Sequence, residues 1–477
     1  MSSPADLVPV PPEVQRLGSA FAAAGHELYL VGGTVRDAIL GRADDDLDFS
    51  TDARPEQVLA ILTPLAQGIW TTGIEFGTVG AQIDGRRCEI TTYRADRYDG
   101  VSRNPAVVYG DSLHEDLRRR DFTMNAMAVS VSGERSFTDP FGGLADLARG
   151  VLRTPGTAAE SFGDDPLRML RAARFAATLG VSVAPEVRAA MTAMAQELGR
   201  ITAERVQGEL GKLLLSASPR AGLELLVETG LAGVVLPELP ALRMAADEHG
   251  QHKDVYAHTL QVLDQAIDLE TAAGDPPDLT LRWAALLHDI GKPATREFAP
   301  GGRVTFHHHE VVGARMARKR LRELRCSNQL VDDVAQLVFL HLRFYGYRDG
   351  EWTDSAVRRY VVDAGPLLPR LHKLVRSDCT TRNKRKAAAL STAYDTLELR
   401  IAGLREREEL EAIRPDLDGT QIMAFLDVPP GPVVGRAYQH LLALRMEHGP
   451  LGHDRAVAEL TAWFASQGES SQNSAAD

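Results

Sequence analysis

Cysteine is scarce in this chain: three residues in 477, Cys88, Cys326 and Cys379, far apart and odd in number. That count excludes a disulfide framework, and the spacing fits no zinc pattern, so a reducing, cytoplasmic setting is expected. No stretch approaches the ~20 apolar residues that a membrane span requires. The first residues carry no charged-then-apolar export pattern, and no membrane partner is expected. Positive charge is also in deficit, with 53 Lys and Arg against 65 Asp and Glu, a formal net charge of −12. An overall basic footprint of the kind common in nucleic-acid binders is therefore missing. Local fields can oppose the net charge, however. Basic clusters occur at Arg118-Arg119-Arg120, in the row Arg168, Arg171, Arg174, from Arg315 to Arg325 and from Arg382 to Lys386. The last two read as RNA contacts or as solvated helix faces, and the second reading is the simpler. The sequence leaves the oligomeric state open.

The length predicts three or more folding units. Residues 1–25 read as a Pro-rich extension, ordered only in part, followed by a short helix over 13–24. From 26 to 154, short β-rich runs alternate with turns and a few helices, which predicts an α/β head. Within it, the polar segment 96–112 reads as a mobile loop between strands. Residues 155–245 turn helical, with amphipathic patterns over 164–179, 185–198, 202–216 and 219–230. A histidine-rich helical unit spans 246–400, a further helical region 401–466, and a Ser/Gln/Asn/Ala-rich tail, expected to be disordered, 467–477. The fold class is thus α+β, an α/β head followed by all-α units.

The segment Val31 to Ser50, VGGTVRDAILGRADDDLDFS, carries the most chemistry. An apolar strand runs into Gly32-Gly33, a helix-like stretch with Arg36-Asp37 follows, and a second strand carries Asp46 and Asp48. Residues i and i+2 of a strand share a face. Two carboxylates on one face, opposite a glycine turn, make a hard-oxygen site for Mg2+ beside a phosphate cradle. Phosphoryl or nucleotidyl transfer uses such parts. Asp44 shares the parity of Asp46 and Asp48, so spacing alone does not choose the metal pair. A further row, Asp165, Arg168, Arg171 and Arg174, has spacings of three and forms a stripe on one side of a helix. On spacing alone the simpler account is an i,i+3 ion pair with a solvated arginine face; a carboxylate that accepts from an exocyclic amine beside a guanidinium that donates to ring acceptors also suits cytosine and adenine, and the motifs that follow favour that account.

GGTVRD followed by DLDFST resembles the polymerase-beta-type nucleotidyltransferases, and more narrowly the class II CCA-adding enzymes and bacterial poly(A) polymerases. The similarity continues in order through Phe76-Gly77-Thr78-Val79, Glu89-Ile90-Thr91-Thr92-Tyr93-Arg94, Arg119-Arg120-Asp121-Phe122-Thr123-Met124-Asn125-Ala126, Asp139-Pro140-Phe141-Gly142-Gly143 and Asp165 to Phe175. The resemblance implies a polymerase-beta-like head, magnesium-dependent addition of C, C and A from CTP and ATP to the 3′ end of tRNA, and a loop at 96–112 that switches between C and A. It implies catalytic roles for Asp46, Asp48 and Glu89. It implies nucleotide contacts at Gly32, Gly33, Arg36, Arg120, Asp121, Asp165, Arg168, Arg171 and Arg174, with Asp121 facing a ribose hydroxyl. Where the family usually has Glu-Asp before the arginine row, this chain has Asp164-Asp165. Poly(A) addition is the rival within the class, and a non-catalytic RNA-binding protein a third reading.

His258, Leu286-Leu287-His288-Asp289-Ile290-Gly291-Lys292, His309, His341 and Asp378 follow the H…HD…H…H…D order and resemble an HD-domain phosphohydrolase. Imidazole with carboxylate suits divalent transition metals such as Ni2+, Co2+ or Mn2+. The expected ligands are His258, His288, Asp289 and Asp378, with His309 and His341 completing a second position. His341 is followed by Leu342, where some relatives have His-Asp. A phosphohydrolase acting on RNA or nucleotide ends and a non-catalytic RNA scaffold both fit this unit.

Overall fold

The computed structural model describes residues 4–42, 46–94, 109–110, 112–243, 254–298, 304–344, 352–380, 383–408 and 414–473. Asp44, Arg382 and nearly all of the expected loop 96–112 lie outside them. The chain divides into two compact units, Met1–Pro240 and Ala241–Asp477.

The first unit is built on a seven-stranded mixed sheet. Its strands are β1 (Leu28–Val31), β2 (Asp46–Thr51), β3 (Gly68–Trp70), β4 (Thr78–Ile83), β5 (Arg86–Thr92), β6 (Ala128–Ser130) and β7 (Phe137–Thr138). They lie side by side in the order β3-β4-β5-β2-β1-β6-β7. β1 runs antiparallel to β2 and β6, while β2 and β5 are parallel. β4 and β5 form a hairpin closed by Asp84-Gly85, both at positive φ (49° and 83°), the turn whose twist matches that of the flanking strands. Leu28, Leu30, Phe49, Val79, Ala81 and Ile90 fill the core with Phe21 of helix Pro12–Ala23 and Val58 and Leu62 of helix Pro55–Leu62. Ala5 and Val8 join this core, so the Pro-rich extension is docked more fully than its composition predicts: two small apolar side chains bury completely between prolines.

Helices follow the sheet. The expected helix 164–179 is two, Ala158–Asp164 and Leu167–Leu179. Pro166 is the reason: the residue before a proline is driven out of the helical region, and Asp165 sits at φ −142°, ψ 99°. Leu167–Leu179 packs on Ala203–Leu214 and Pro219–Glu228, burying Leu170, Ala173, Leu210, Leu213, Leu223 and Leu226.

Among the described residues the second unit is helical apart from one two-stranded ribbon. Val255–Ala273, Leu279–Leu287, His309–Glu323, Asn328–Leu340 and Leu368–Ser377 pack around the fully buried Trp283. Asp278 caps Leu279–Leu287 by accepting from the Thr280 and Leu281 amides. Arg358 joins this bundle to the helices that follow. It makes a two-pronged ion pair with Glu408 (2.7 and 2.9 Å) and donates to the Met446 and Glu447 carbonyls at the end of helix Pro432–His448. The last three helices close a small core of their own around Leu417, Ile422, Leu441 and Leu460. The final helix is His453–Asn473.

Candidate active site

β2 alternates in burial. Leu47 and Phe49 point into the core, and Asp46 and Asp48 point out. The parallel register sets Asp48 beside Glu89 and Asp46 beside Arg87, about 4.8 Å away at the strand spacing. Asp46, Asp48 and Glu89 therefore share one face of the sheet. Thr34 fastens the neighbouring helix Gly33–Ile39 to this strand: its hydroxyl accepts from the Asp48 amide at 3.0 Å and reaches the Asp46 carbonyl at 3.4 Å.

Gly32, at the β1 exit, has φ 69° and ψ −132°, a conformation that disfavours any side chain. A Cβ there would also meet Arg120 Nη1 at 2.8 Å. The turn thus exposes backbone to a guanidinium, an arrangement suited to a polyphosphate. Arg120 is itself held by Ser50 Oγ (3.1 Å) and Asp116 Oδ2 (3.2 Å). Asp116 is fully buried and also accepts from Arg119 at 2.8 Å and Ser50 at 3.0 Å. Burial opposes its charge, but Arg120 and Arg119 outweigh it and hold the carboxyl below its ordinary range. Sequence reasoning missed Asp116; the signal was an acid four residues before Arg120 on a short helix.

Arg36 is 8% exposed, donates to Asn125 Oδ1 at 2.6 Å and to its neighbour Asp37, and lies over the Phe175 ring. Asp121 is similarly engaged. One oxygen accepts from the Phe122 amide and Asn125, the other from Arg171 at 2.8 Å. Burial would raise its pKa, yet Arg171 and the Asn125 hydrogen bond bring it from 3.8 to about 2. A depressed folded-state value adds stability that is fully present above about pH 4 and is lost as pH falls toward 2. The effect is on the order of 2 kcal/mol. Urea unfolding of the wild type and Asp121→Asn should show a stability gap at pH 7 that narrows at pH 3; a gap independent of pH would show that Asp121 titrates normally.

The arginine row lies where its spacing puts it, on one side of Leu167–Leu179. Arg171 pairs with Asp121 and Glu209, and Arg174 with Glu209 at 2.6 Å while covering the Phe175 ring at 4.1 Å. Arg168 donates to Ser161 Oγ at 2.8 Å and to the Arg119 carbonyl at 2.5 Å. Asp165 accepts from Arg205 at 2.7 Å and from the Leu167 amide. Glu209 and Arg205 were missed by sequence reasoning. Four residues apart on Ala203–Leu214, they face the row together, and that spacing was legible.

The second unit brings together all six residues of the histidine-rich pattern. Among the described residues they form two groups with ligand atoms within 4.8 Å: His258, His288 and Asp378, and Asp289, His309 and His341. Asp289 thus falls with the second group rather than the first, yet it faces both. Its Oδ2 lies 3.2 Å from His288 Nε2 and its Oδ1 3.3 Å from His309 Nε2. His341 is in place despite the leucine after it, because helix Asn328–Leu340 delivers the ring and the following residue is not needed. Nδ1 of His288, His309 and His341 donates to the carbonyls of Ala285, Phe306 and Val338 at 2.9, 2.8 and 2.6 Å. His258 Nδ1 meets Thr380 Oγ1 at 3.0 Å. The three bonds to carbonyls make Nδ1 the donor in His288, His309 and His341 and leave Nε2 of each facing the cluster.

Nε2 of His288, His309 and His341 is buried with no hydrogen-bond partner. Buried orphan acceptors beside carboxylates fit a metal centre. Burial and the neighbouring His288 push His341 down to about 4, so its ring is neutral and free to ligate. Burial opposes the Asp289 charge, but His288 and Lys292 hold that carboxyl well below its usual range, with Lys292 Nζ at 2.7 Å.

The sheet, its exposed carboxylate row and the glycine turn define a nucleotidyltransferase of the polymerase-beta type. Three families match the chain in order: the poly(A) polymerase head domain over residues 28–153, a probable RNA-binding region of poly(A) polymerase over 180–242, and the HD domain over 255–383. An A-adding tRNA nucleotidyltransferase from Deinococcus radiodurans is 34% identical over 87% of this chain and 91% of its own. A CCA-adding enzyme from Anoxybacillus flavithermus is 33% identical over 73% of this chain and 74% of its own. The Bacillus stearothermophilus CCA-adding enzyme, solved in complex with CTP, superposes with a TM-score of 0.68 at 26% identity, covering 98% of this chain and 100% of that one. The chain belongs to the family of tRNA nucleotidyltransferases and poly(A) polymerases. Its head and HD domains imply dependence on divalent metal. No helix among the described residues is long and apolar enough to cross a membrane.

Proposed function

We propose that this protein adds C, C and A to the 3′ end of tRNA in the cytoplasm, from CTP and ATP, with Mg2+ held by Asp46 and Asp48. The observation that carries this reading is the carboxylate row Asp46, Asp48 and Glu89 set beside the Gly32–Arg120 cradle. A metal held by Asp46 and Asp48 would lower the pKa of the attacking hydroxyl and neutralise charge on the phosphates. The Gly32-Gly33 backbone and Arg120 hold the triphosphate so that its α-phosphate meets the tRNA 3′-hydroxyl, and pyrophosphate leaves. Asp116 keeps Arg120 aimed, and Glu209 does the same for Arg171 and Arg174.

Asp165 and Arg168 read the base. Cytosine and adenine each offer an amine to Asp165 and a ring acceptor to Arg168. Entry of the base exchanges the Arg205–Asp165 ion pair for that amine. Asp165→Ala and Arg168→Ala should therefore relax selectivity among the four nucleotides by ~1–3 kcal/mol, the scale of one bidentate base contact. Single-turnover rates with CTP, ATP, UTP and GTP measure it. An equal loss for all four would reduce the pair to a shaping role.

A second reading, addition of the terminal A alone, is favoured by the long match to the Deinococcus protein. Product ladders on tRNA ending before the first C, after one C and after both C residues, with each nucleotide alone and in pairs, separate the two. Growth to full CCA from the shortest tRNA supports the first reading; extension only of the tRNA already ending in CC supports the second.

For the histidine-rich unit we infer a metal-dependent phosphohydrolase, with His258, His288, Asp378, Asp289, His309 and His341 as ligands for Ni2+, Co2+ or Mn2+. Its support is the set of inward-facing, unpartnered Nε2 atoms.

A further inference from the structure

The face that carries Asp46, Asp48 and Glu89 continues past β5 to the sheet edge. Registers across three strand pairs place Trp70, Gly80, Glu89 and Asp48 in one row. Directly paired residues point to the same side of a sheet. Trp70 therefore shares the catalytic face, on the edge strand β3. Its indole does not stand upright. It lies across β4 at Gly80, where a Cβ would sit 1.8 Å from Trp70 Nε1. Any side chain at Gly80 would push the ring away from the carboxylates. Arg87, in the row of Asp46, closes the arrangement. Its guanidinium lies over the Trp70 ring at 5.2 Å from the centroid, and Nη2 donates to Glu89 Oε1 at 2.9 Å. The Arg87 side chain is 55% exposed and that of Glu89 41%.

The position of this shelf relative to the chemistry is informative. The phosphate cradle, Gly32 and Arg120, lies on the β1 side of β2, and the shelf on the β5–β4–β3 side. In phosphoryl transfer the attacking and leaving oxygens lie roughly in line, so the hydroxyl enters opposite the departing pyrophosphate. An RNA end delivering that hydroxyl must come over the β5 side. There it meets an aromatic ring with a cation stacked upon it, beside a carboxylate. Aromatic rings stack any base without regard to sequence, and an exposed arginine holds the adjoining phosphate. The acceptor changes its terminal base at every addition, so a platform indifferent to base identity suits it.

We propose that Trp70 and Arg87 form the docking shelf for the 3′-terminal nucleotide of the RNA acceptor: the base stacks on the indole, and Arg87 shifts from the ring to the phosphate. This rests on the head acting as an RNA nucleotidyltransferase.

Trp70→Ala should raise KM for tRNA on the order of tenfold, the effect of losing one stacked base. KM for CTP and ATP should not move, and Trp70→Phe should restore most of the loss. Arg87→Gln should reduce the salt slope of tRNA affinity by about one. An unchanged KM for tRNA, or equal shifts in KM for tRNA and nucleotide, overturns the proposal. The shelf is also read without turnover and without the alanine variant. Titrating tRNA into the wild type should quench tryptophan emission, and Trp70→Phe should lack that component. If Trp70-dependent quenching occurs but no nucleotide is transferred to any RNA, the transferase reading fails, and the acceptor role of the shelf with it, while Trp70 is kept as an RNA contact. Transfer without any Trp70-dependent quenching overturns the shelf alone.

Discussion

Asp46→Ala and Asp48→Ala are each expected to abolish nucleotide addition while leaving the fold and tRNA binding nearly intact. Metal-borne charge stabilisation is worth several kcal/mol in the transition state, so each single variant should lose about a thousandfold or more in rate. Both residues lie on the exposed face of β2, where substitutions ordinarily change stability by only about 0.5 kcal/mol. The loss should therefore appear in kcat, with urea midpoints and tRNA filter binding close to wild type. Substantial rates from both single variants at saturating magnesium would remove the assignment, and Asp44, which shares their strand parity, would become the candidate.

Much of this head was legible because its chemistry is written in short local patterns. Strand periodicity puts Asp46 and Asp48 on one face, though it leaves Asp44 in the same parity, and the paired glycines mark the turn at Gly32. Registers between strands far apart in sequence are not written locally. Only the resemblance groups Glu89 with Asp46 and Asp48, and nothing in the chain announces that Trp70 reaches the same face through Gly80. The row Arg168, Arg171, Arg174 was legible as a stripe, but its partners come from other parts of the chain. Arg36 sits beside the glycine turn, and its burial against Asn125 and Phe175 is likewise set by the fold. The net charge was a poor guide for a physical reason. Net charge sums over the whole chain, while the helix Leu167–Leu179 gathers guanidinium groups at one place and sets them against Glu209 and Asp121.

The two chemistries should be separable. The head groups all precede Glu209, the metal-type cluster begins at His258, and the two sets lie in different compact units. His288→Ala combined with Asp289→Ala should abolish any metal-dependent phosphatase or 2′,3′-cyclic phosphodiesterase activity of the wild type, measured with Ni2+, Co2+ and Mn2+. The same variant should retain nucleotide addition to within roughly tenfold, about 1.4 kcal/mol, since neither residue belongs to the first unit. Asp289 is the more damaging of the two to lose, because it faces both ligand groups and neutralises Lys292. Circular dichroism must therefore accompany the assay: removing one partner of a buried pair destabilises by itself. Wild-type protein that neither hydrolyses these substrates nor binds a transition metal would make the unit a scaffold. A folded double variant that no longer adds nucleotides would instead couple the two units. The polar interior of the second unit would then be transmitting a constraint to the head, and the buried histidines would owe their presence to that coupling rather than to hydrolysis.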